Sequence, residues 1–246
     1  MKICGRKNLE IYDSAAITIS EGSEVAITIR PRKDAMITLR IGRNCRVSTF
    51  VLQEQDVSVE QTNHVGEGSI VRSSGLWLGS GTAKITNILE GKKAEAYDVN
   101  IFVEKGDSSL HLNSVLKHAE RNTRGNILIK GIAKDRATAK LGGMIRVEKN
   151  GAGAQSFLSE HVLLLSPQAH AVARPELEIK NNDVSSRHSA SVAPLGEEKI
   201  FYLMSRGLAR DEAERLMAEG FLASAIDKIG DEGMRGEIAY KALSAL

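Results

Sequence analysis

Proline is scarce in this chain, with 4 among 246 residues, and so are cysteine, with 2, and the aromatic residues, which make up 4% and include one Trp. Cys4 and Cys45 are too few and too far apart for a disulfide framework, a CxxC redox pair or a cysteine-rich metal site, which points to a reducing, cytoplasmic setting. No stretch approaches the roughly 18 consecutive apolar residues of a membrane span, and the opening MKICGRKNLEIYD lacks the apolar run of a secretory leader. Charge of one sign is also missing. The 33 Lys and Arg are interspersed with 31 Asp and Glu, so there is no basic footprint for nucleic acid or an anionic membrane. The expected partners are proteins or small ligands. GxxxxGK[ST], GxSxG, HExxH and a strand-to-helix GxGxxG are all absent, so no catalytic residue is assigned, and any ATP hydrolysis is expected in another subunit.

What the chain does have is a ladder. Ile17 and Ile19 recur as Ile27 and Ile29, Ile37 and Leu39, Val47 and Thr49, then Val57 and Val59, at a spacing of ten residues. These short, β-branched, alternating segments read as strands with one buried face. The links between them are too short for a crossover helix. A meander or the half-coils of a solenoid both satisfy the spacing, with a β-sandwich as the structural alternative. A flattened β-helix filled by Ile, Val, Leu and Ala is preferred, because stacked coils bury a core that no single coil can bury. Alternation continues to about residue 184. Within it, Ile41–Val47 and Asn122–Gly125 read as turns, the first with a buried Cys45, and GAGAQ and LGG as tight corners.

From about residue 196 the period becomes helical. GEEKIFYLMSR, residues 196–206, reads as a helix entered after Pro194, with Glu197 and Glu198 near the positive end and Gly207 as the stop. In the next helix Ala213, Leu216, Met217, Gly220 and Phe221 fall on one face, and a third helix runs from about Glu232 to Ala245. The expected organisation is a β core over 1–195, closed at its end by a helical appendage over 196–246.

Among six histidines, His161 and His188 stand out, because Glu160-His161 and Ser186-Arg187-His188 lie late in the β region, where neighbouring coils can bring side chains together. Imidazole and carboxylate are competent iron ligands, although a cluster site without thiolate would be unusual.

Three stretches resemble the SufB and SufD family of iron–sulfur cluster assembly scaffolds: RNTRGNILIKGIAKD at 121–135, LLLSPQAHAVARPELEIKNNDVSSRHSASV at 163–192, and EEKIFYLMSRGLARDEAERLMAEGF at 197–221. The resemblance implies a right-handed parallel β-helix, mainly β, with C-terminal helices that dock a SufC-type ABC ATPase. It also implies a second SufB/SufD-like chain as partner and a transient iron–sulfur cluster at the dimer interface. His188 stands where SufD has the histidine of its His-Gly-Ala-Thr motif, which marks it as the cluster-assembly and metal candidate. The strand where SufB carries its scaffold cysteine reads SFLSEHVLLLS here, with Glu160 or His161 nearest its place. These departures make the chain SufD-like, and short, without the family's N-terminal helical region. Arg206, Leu208, Glu212, Arg215 and Met217 are the ATPase-docking candidates, with Phe201, Tyr202, Leu216 and Phe221 expected to hold the helices to the domain. A homodimer replacing both scaffolds is the alternative. A carbohydrate-active β-helix enzyme is a distant one, since a single Trp makes a poor sugar platform.

Overall fold

The ladder folds as two parallel sheets that share every coil. The structure, a computed structural model, describes all 246 residues. One sheet contains β1 (Lys2–Ile3), β3 (Ala15–Ile19), β5 (Ala35–Ile41), β7 (Val59–Val65), β9 (Gly81–Leu89), β11 (Ser109–His118) and β13 (Thr138–Val147), ending on β15 (His170–Ala173) and β16 (Glu176–Ile179). The other runs through β2 (Arg6–Ile11), β4 (Glu24–Ile29), β6 (Arg46–Gln53), β8 (Ile70–Trp77), β10 (Glu95–Glu104), β12 (Arg124–Ala133), β14 (Ala154–Leu164) and β17 (Val184–Pro194). Up to β15, consecutive strands lie in opposite sheets and each pairs with the next but one, and in the last coil β15 and β16 both pair with β13 and β17 with β14, which is the topology of a parallel β-helix. The ten-residue spacing is therefore the half-coil. Coils lengthen along the chain, from Lys2 paired with Thr18 to Thr138 paired with His170, so the solenoid widens toward its C-terminal end.

Alternation puts one residue in two inside. Ile27, Ile37, Leu39, Leu89, Leu112, Ile129 and Leu158 stack in the continuous inner core, together with Trp77 and Phe102. The turns at Ile41–Val47 and Asn122–Gly125 are present, Asn44 and Asn122 adopting the left-handed conformation that Asn tolerates, and Cys45 is buried. GAGAQ is a corner, with Gly153 at φ +73. LGG is not a corner. Gly142 and Gly143 lie in the middle of β13, where Gly143 faces inward and a Cβ would strike Leu158 and come within 2.7 Å of Glu160 Oε1. The glycine is there to make room, not to turn the chain.

The helices α1 (Glu197–Ser205), α2 (Arg210–Ile226) and α3 (Glu232–Ser244) do not close the end of the solenoid. Instead α2 and α3 lie along the outer face of the second sheet. There Ala218, Leu222, Ala225, Ile226, Met234, Ile238 and Ala242 form one buried cluster with Phe50, Leu76, Val99, Ile101, Val103, Ile132 and Leu163. The outward positions at the C-terminal halves of β6, β8 and β10 are apolar, so this face must be covered, and the helices cover it. Arg30–Glu237 at 2.8 Å and Lys241–Glu54 at 2.6 Å pin α3 to the early coils. The anchoring face also differs from the sequence expectation. Phe201 is 74% exposed, Tyr202 56% and Leu216 49%, while Phe221 packs half-buried against Lys130. Helical periodicity locates an apolar stripe but not which of two stripes meets the sheet, and here the small-residue stripe through Ala218, Leu222 and Ala225 does.

With the helices on the flank, the last coil is bare. Leu177, Ile179 and Val192 on β16 and β17 are exposed although they continue the columns of buried Ile145, Val147 and Val162, and Val172 on β15 is exposed on the outer face beside Lys140. No helix of the molecule is long and apolar enough to cross a membrane.

Candidate functional site

Strand register places the candidate residues. Thr49, Ser73, Asp98, Ile127, Leu158 and His188 form one inward column across β6, β8, β10, β12, β14 and β17. His188 ends that column on the bare coil and is exposed. The adjacent column runs through Asn100, Ile129, Glu160 and Ala190. Glu160 therefore lies one coil below the surface, two positions along from His188's strand partner and on the same inner face. It is 0% exposed and neither carboxylate oxygen has a hydrogen-bond partner. Burial pushes its pKa up to about 7, the nearby backbone amides of Gly143 and Arg174 offsetting only part of the cost. The lid over this region is interrupted. β13 pairs with β15 through Leu141 and with β16 from Met144, leaving Gly142 and Gly143 opposite Arg174-Pro175, where proline has no amide to continue the ladder.

His161 faces the other way. It is next to Glu160 in sequence, so the two-residue period turns it to the outer face, where Nδ1 lies 2.7 Å from Ser191 Oγ and burial, with Lys130 nearby, holds its pKa down. The structure thus brings Glu160 and His188 to one face and separates His161 from both. Neither thiol is near. Cys4 Sγ and Cys45 Sγ both bond to Ser20, at Oγ (3.0 Å) and at the carbonyl (3.1 Å), in the first coils at the opposite end. No three His, Cys, Asp or Glu side chains converge to hold a metal ion. The inward-facing donors of this column pair are the His188 imidazole and the Glu160 carboxylate, too few by themselves for a closed metal centre.

Residues 4–221 match the SufBD core domain, described as belonging to the SUF system of FeS cluster assembly. The chain belongs to the SufBD family. It is 33% identical over 138 residues to the iron-sulfur cluster assembly protein SufD of Bacillus subtilis (strain 168), covering 56% of this chain and 32% of that protein. To SufD of Escherichia coli (strain K12) it is 22% identical over 247 residues, 95% of this chain and 56% of the relative. SufD of Plasmodium falciparum (isolate 3D7) is 30% identical over 170 residues, 68% of this chain and 12% of that protein. This SufD-like chain therefore spans between about an eighth and about half the length of these relatives.

In this SufBD-family chain the docking candidates lie around the α1–α2 corner. Arg206 is exposed and folds back on Tyr202, its Nη2 3.2 Å from the phenol oxygen. Glu212 accepts from the Ala209 amide at 2.8 Å and so caps α2, and Arg215 pairs with Glu219 at 2.9 Å. Leu208 and Met217 are half-buried. The apolar side chains most available at this corner are Phe201, Tyr202, Met204 and Leu216.

Sequence reasoning missed a polar interior. Gln61 Nε2 donates to Thr49 Oγ1 and Asn63 Oδ1, each at 3.0 Å, and Asn63 Nδ2 donates to Asn87 Oδ1 at 2.8 Å, all buried. Ser114 donates to buried Asp98, whose pKa burial raises to about 6, and buried Glu104 is raised to about 7. The signal was there: in AEAYDVNIFVE, Ala96 and Phe102 set the inward phase, and Asp98, Asn100 and Glu104 share it.

Proposed function

We propose that this chain is a non-catalytic, SufD-like scaffold component of iron–sulfur cluster assembly. It works in the cytoplasm in a complex with a SufC-type ABC ATPase and a second SufB/SufD-like chain. The observation that carries this reading, beyond family membership, is the bare last coil with His188 at its mouth above the unpartnered Glu160. An apolar, unpaired coil end is stabilised by a second chain, and that chain would supply the thiolate this end lacks. The cluster is cargo at the junction. His188 offers an imidazole nitrogen to iron, and Glu160 is an acid that can give up its proton near neutral pH. The ATPase docks on the α1–α2 corner through Phe201, Tyr202, Met204 and Leu216, with Arg206 and Arg215 beside them. Because α2 packs on the same sheet that ends in β17, motion imposed at that corner reaches the junction through a rigid element. A homodimer at the same coil is the variant within this reading. A sugar-active enzyme gains no support, since Trp77 is buried and offers no platform.

His188→Ala tests the role. The variant should keep the wild-type melting temperature, because the side chain is exposed, yet lower the rate of cluster transfer to an apo-acceptor in the reconstituted complex by at least about tenfold. Wild-type transfer by a folded variant would remove His188 from the account.

A further inference from the structure

Beside the helices, the second sheet carries a cleft of about 560 Å³ on its outer face, away from the open end's interior. Arg72 on β8, Tyr97 on β10, Lys130 on β12 and His161 on β14 line its floor, and Lys228, just past α2, its wall. On β8 and β10 the outer face is polar near Arg72 and Tyr97 and apolar further along at Leu76, Val99 and Ile101, while on β12 and β14 Lys130 and His161 continue the rank of Leu76 and Ile101 beside the helices. The floor of the cleft is basic. No carboxylate lies within 4 Å of Arg72, Lys130 or Lys228, whereas Arg30, Lys84, Arg146 and Lys241 each hold one at 2.6–2.8 Å. Three nearby acids are committed elsewhere. Asp98 on β10 points inward to Ser114, Glu95 accepts from Tyr97 Oη at 2.8 Å, and Asp231 caps α3 by accepting from the Met234 amide at 2.9 Å.

The cations are held in place. Lys130 Nζ is 2.5 Å from Ser224 Oγ and 4.2 Å from the Phe221 ring centre, and the Arg72 guanidinium stacks 4.9 Å from the ring centre of Tyr97. Burial holds the Lys130 pKa below its ordinary value, as expected of an ammonium without a counter-ion. Gathering unpaired cations in a half-enclosed cleft costs free energy unless an anion joins them, and a guanidinium with two ammonium groups on three separate elements suits several oxyanion oxygens at once. We infer that this cleft is a binding site for a small molecule bearing two or more oxyanion groups, phosphate or carboxylate. Its volume accommodates a ligand of metabolite size.

Titration calorimetry on the full chain at low salt, with pyrophosphate and with citrate as separate probes, tests this. At least one probe should saturate a single site per chain with Kd below about 1 mM, and Lys130→Met and Lys228→Met should each weaken it about tenfold, while Lys7→Met on β2 leaves it unchanged. Preference for pyrophosphate assigns the site to phosphorylated ligands and preference for citrate to polycarboxylates. No saturable binding of either probe up to about 10 mM, or equal weakening by Lys7→Met, overturns the site. If Lys130→Met lowers the melting temperature, Lys228→Met decides alone, because Lys228 is exposed outside the helix cluster.

Discussion

Glu160 is, with Glu104 and His118, among the residues whose chemistry departs furthest from solution behaviour, and it gives the sharpest expectation at this scale. Its pKa is near 4.5 in the unfolded chain and about 7 in the folded one. Between those values the folded state holds a proton that the unfolded state has lost. The contribution of Glu160 is thus fully present below about pH 4.5, is lost as pH rises through 7, and levels off above. Asp98 and Glu104 act in the same sense, whereas buried His118, pushed down to about 4, acts oppositely and favours folding as pH rises toward 6.5. The whole-protein profile mixes these, so the informative quantity is the difference from Glu160→Gln. That variant should gain on the order of 2 kcal/mol relative to wild type between pH 5 and pH 8 in urea unfolding. A pH-independent difference would mean that Glu160 ionises freely. Gly143→Ala, which forces a methyl against Leu158 and Glu160, should cost about 1–3 kcal/mol, read as a lower urea midpoint at unchanged m-value. Neither Glu160's isolation nor Gly143's purpose was legible in the sequence, because both depend on which residues of non-adjacent coils face one another.

At the scale of elements, strand content was legible and helix placement was not. A two-residue period fixes which side chains share a face, so the decapeptide ladder announced half-coils and the turns at Asn44 and Asn122 announced themselves by residue type. The first and third helices were found at nearly their observed bounds from Glu197, Gly207 and the apolar spacing, while α2 continues past Phe221, the last residue read into it, to Ile226. Their packing was read wrongly because two apolar stripes compete on α2, and the winner is set by the sheet surface, not by the helix. The consequence is measurable. Leu222→Ala, at a position buried between α2 and the sheet, should destabilise by about 2–4 kcal/mol, whereas Leu216→Ala, exposed on the same helix, should stay within about 0.5 kcal/mol in thermal or urea unfolding. Equal costs would place α2 in the orientation the sequence suggested. Removing residues 197–246 altogether would bare Leu76, Val99 and Ile101, so docking is better probed by surface substitutions than by truncation.

At the scale of the molecule, a tapered solenoid carries its helices on one flank and leaves its widest coil open. That arrangement separates two surfaces. In the proposed function, the open coil with His188 over Glu160 is the surface for a second chain, and the exposed apolar corner of α1 and α2 the surface for an ATPase. Phe201→Ala combined with Tyr202→Ala should abolish association with a SufC-type ATPase while leaving the melting temperature and the chain's pairing with its β-helix partner unchanged, checked by size-exclusion chromatography. The most direct test of the scaffold reading is the mass of the chain, β-helix and helices together, by light scattering, alone and mixed anaerobically with a SufC-type ATPase, with and without ATP. The account expects a stable complex containing both proteins, with a stoichiometry that reports whether the open coil has closed on a second copy of the chain or awaits a SufB-like partner. Two separate, folded species under every condition would contradict it.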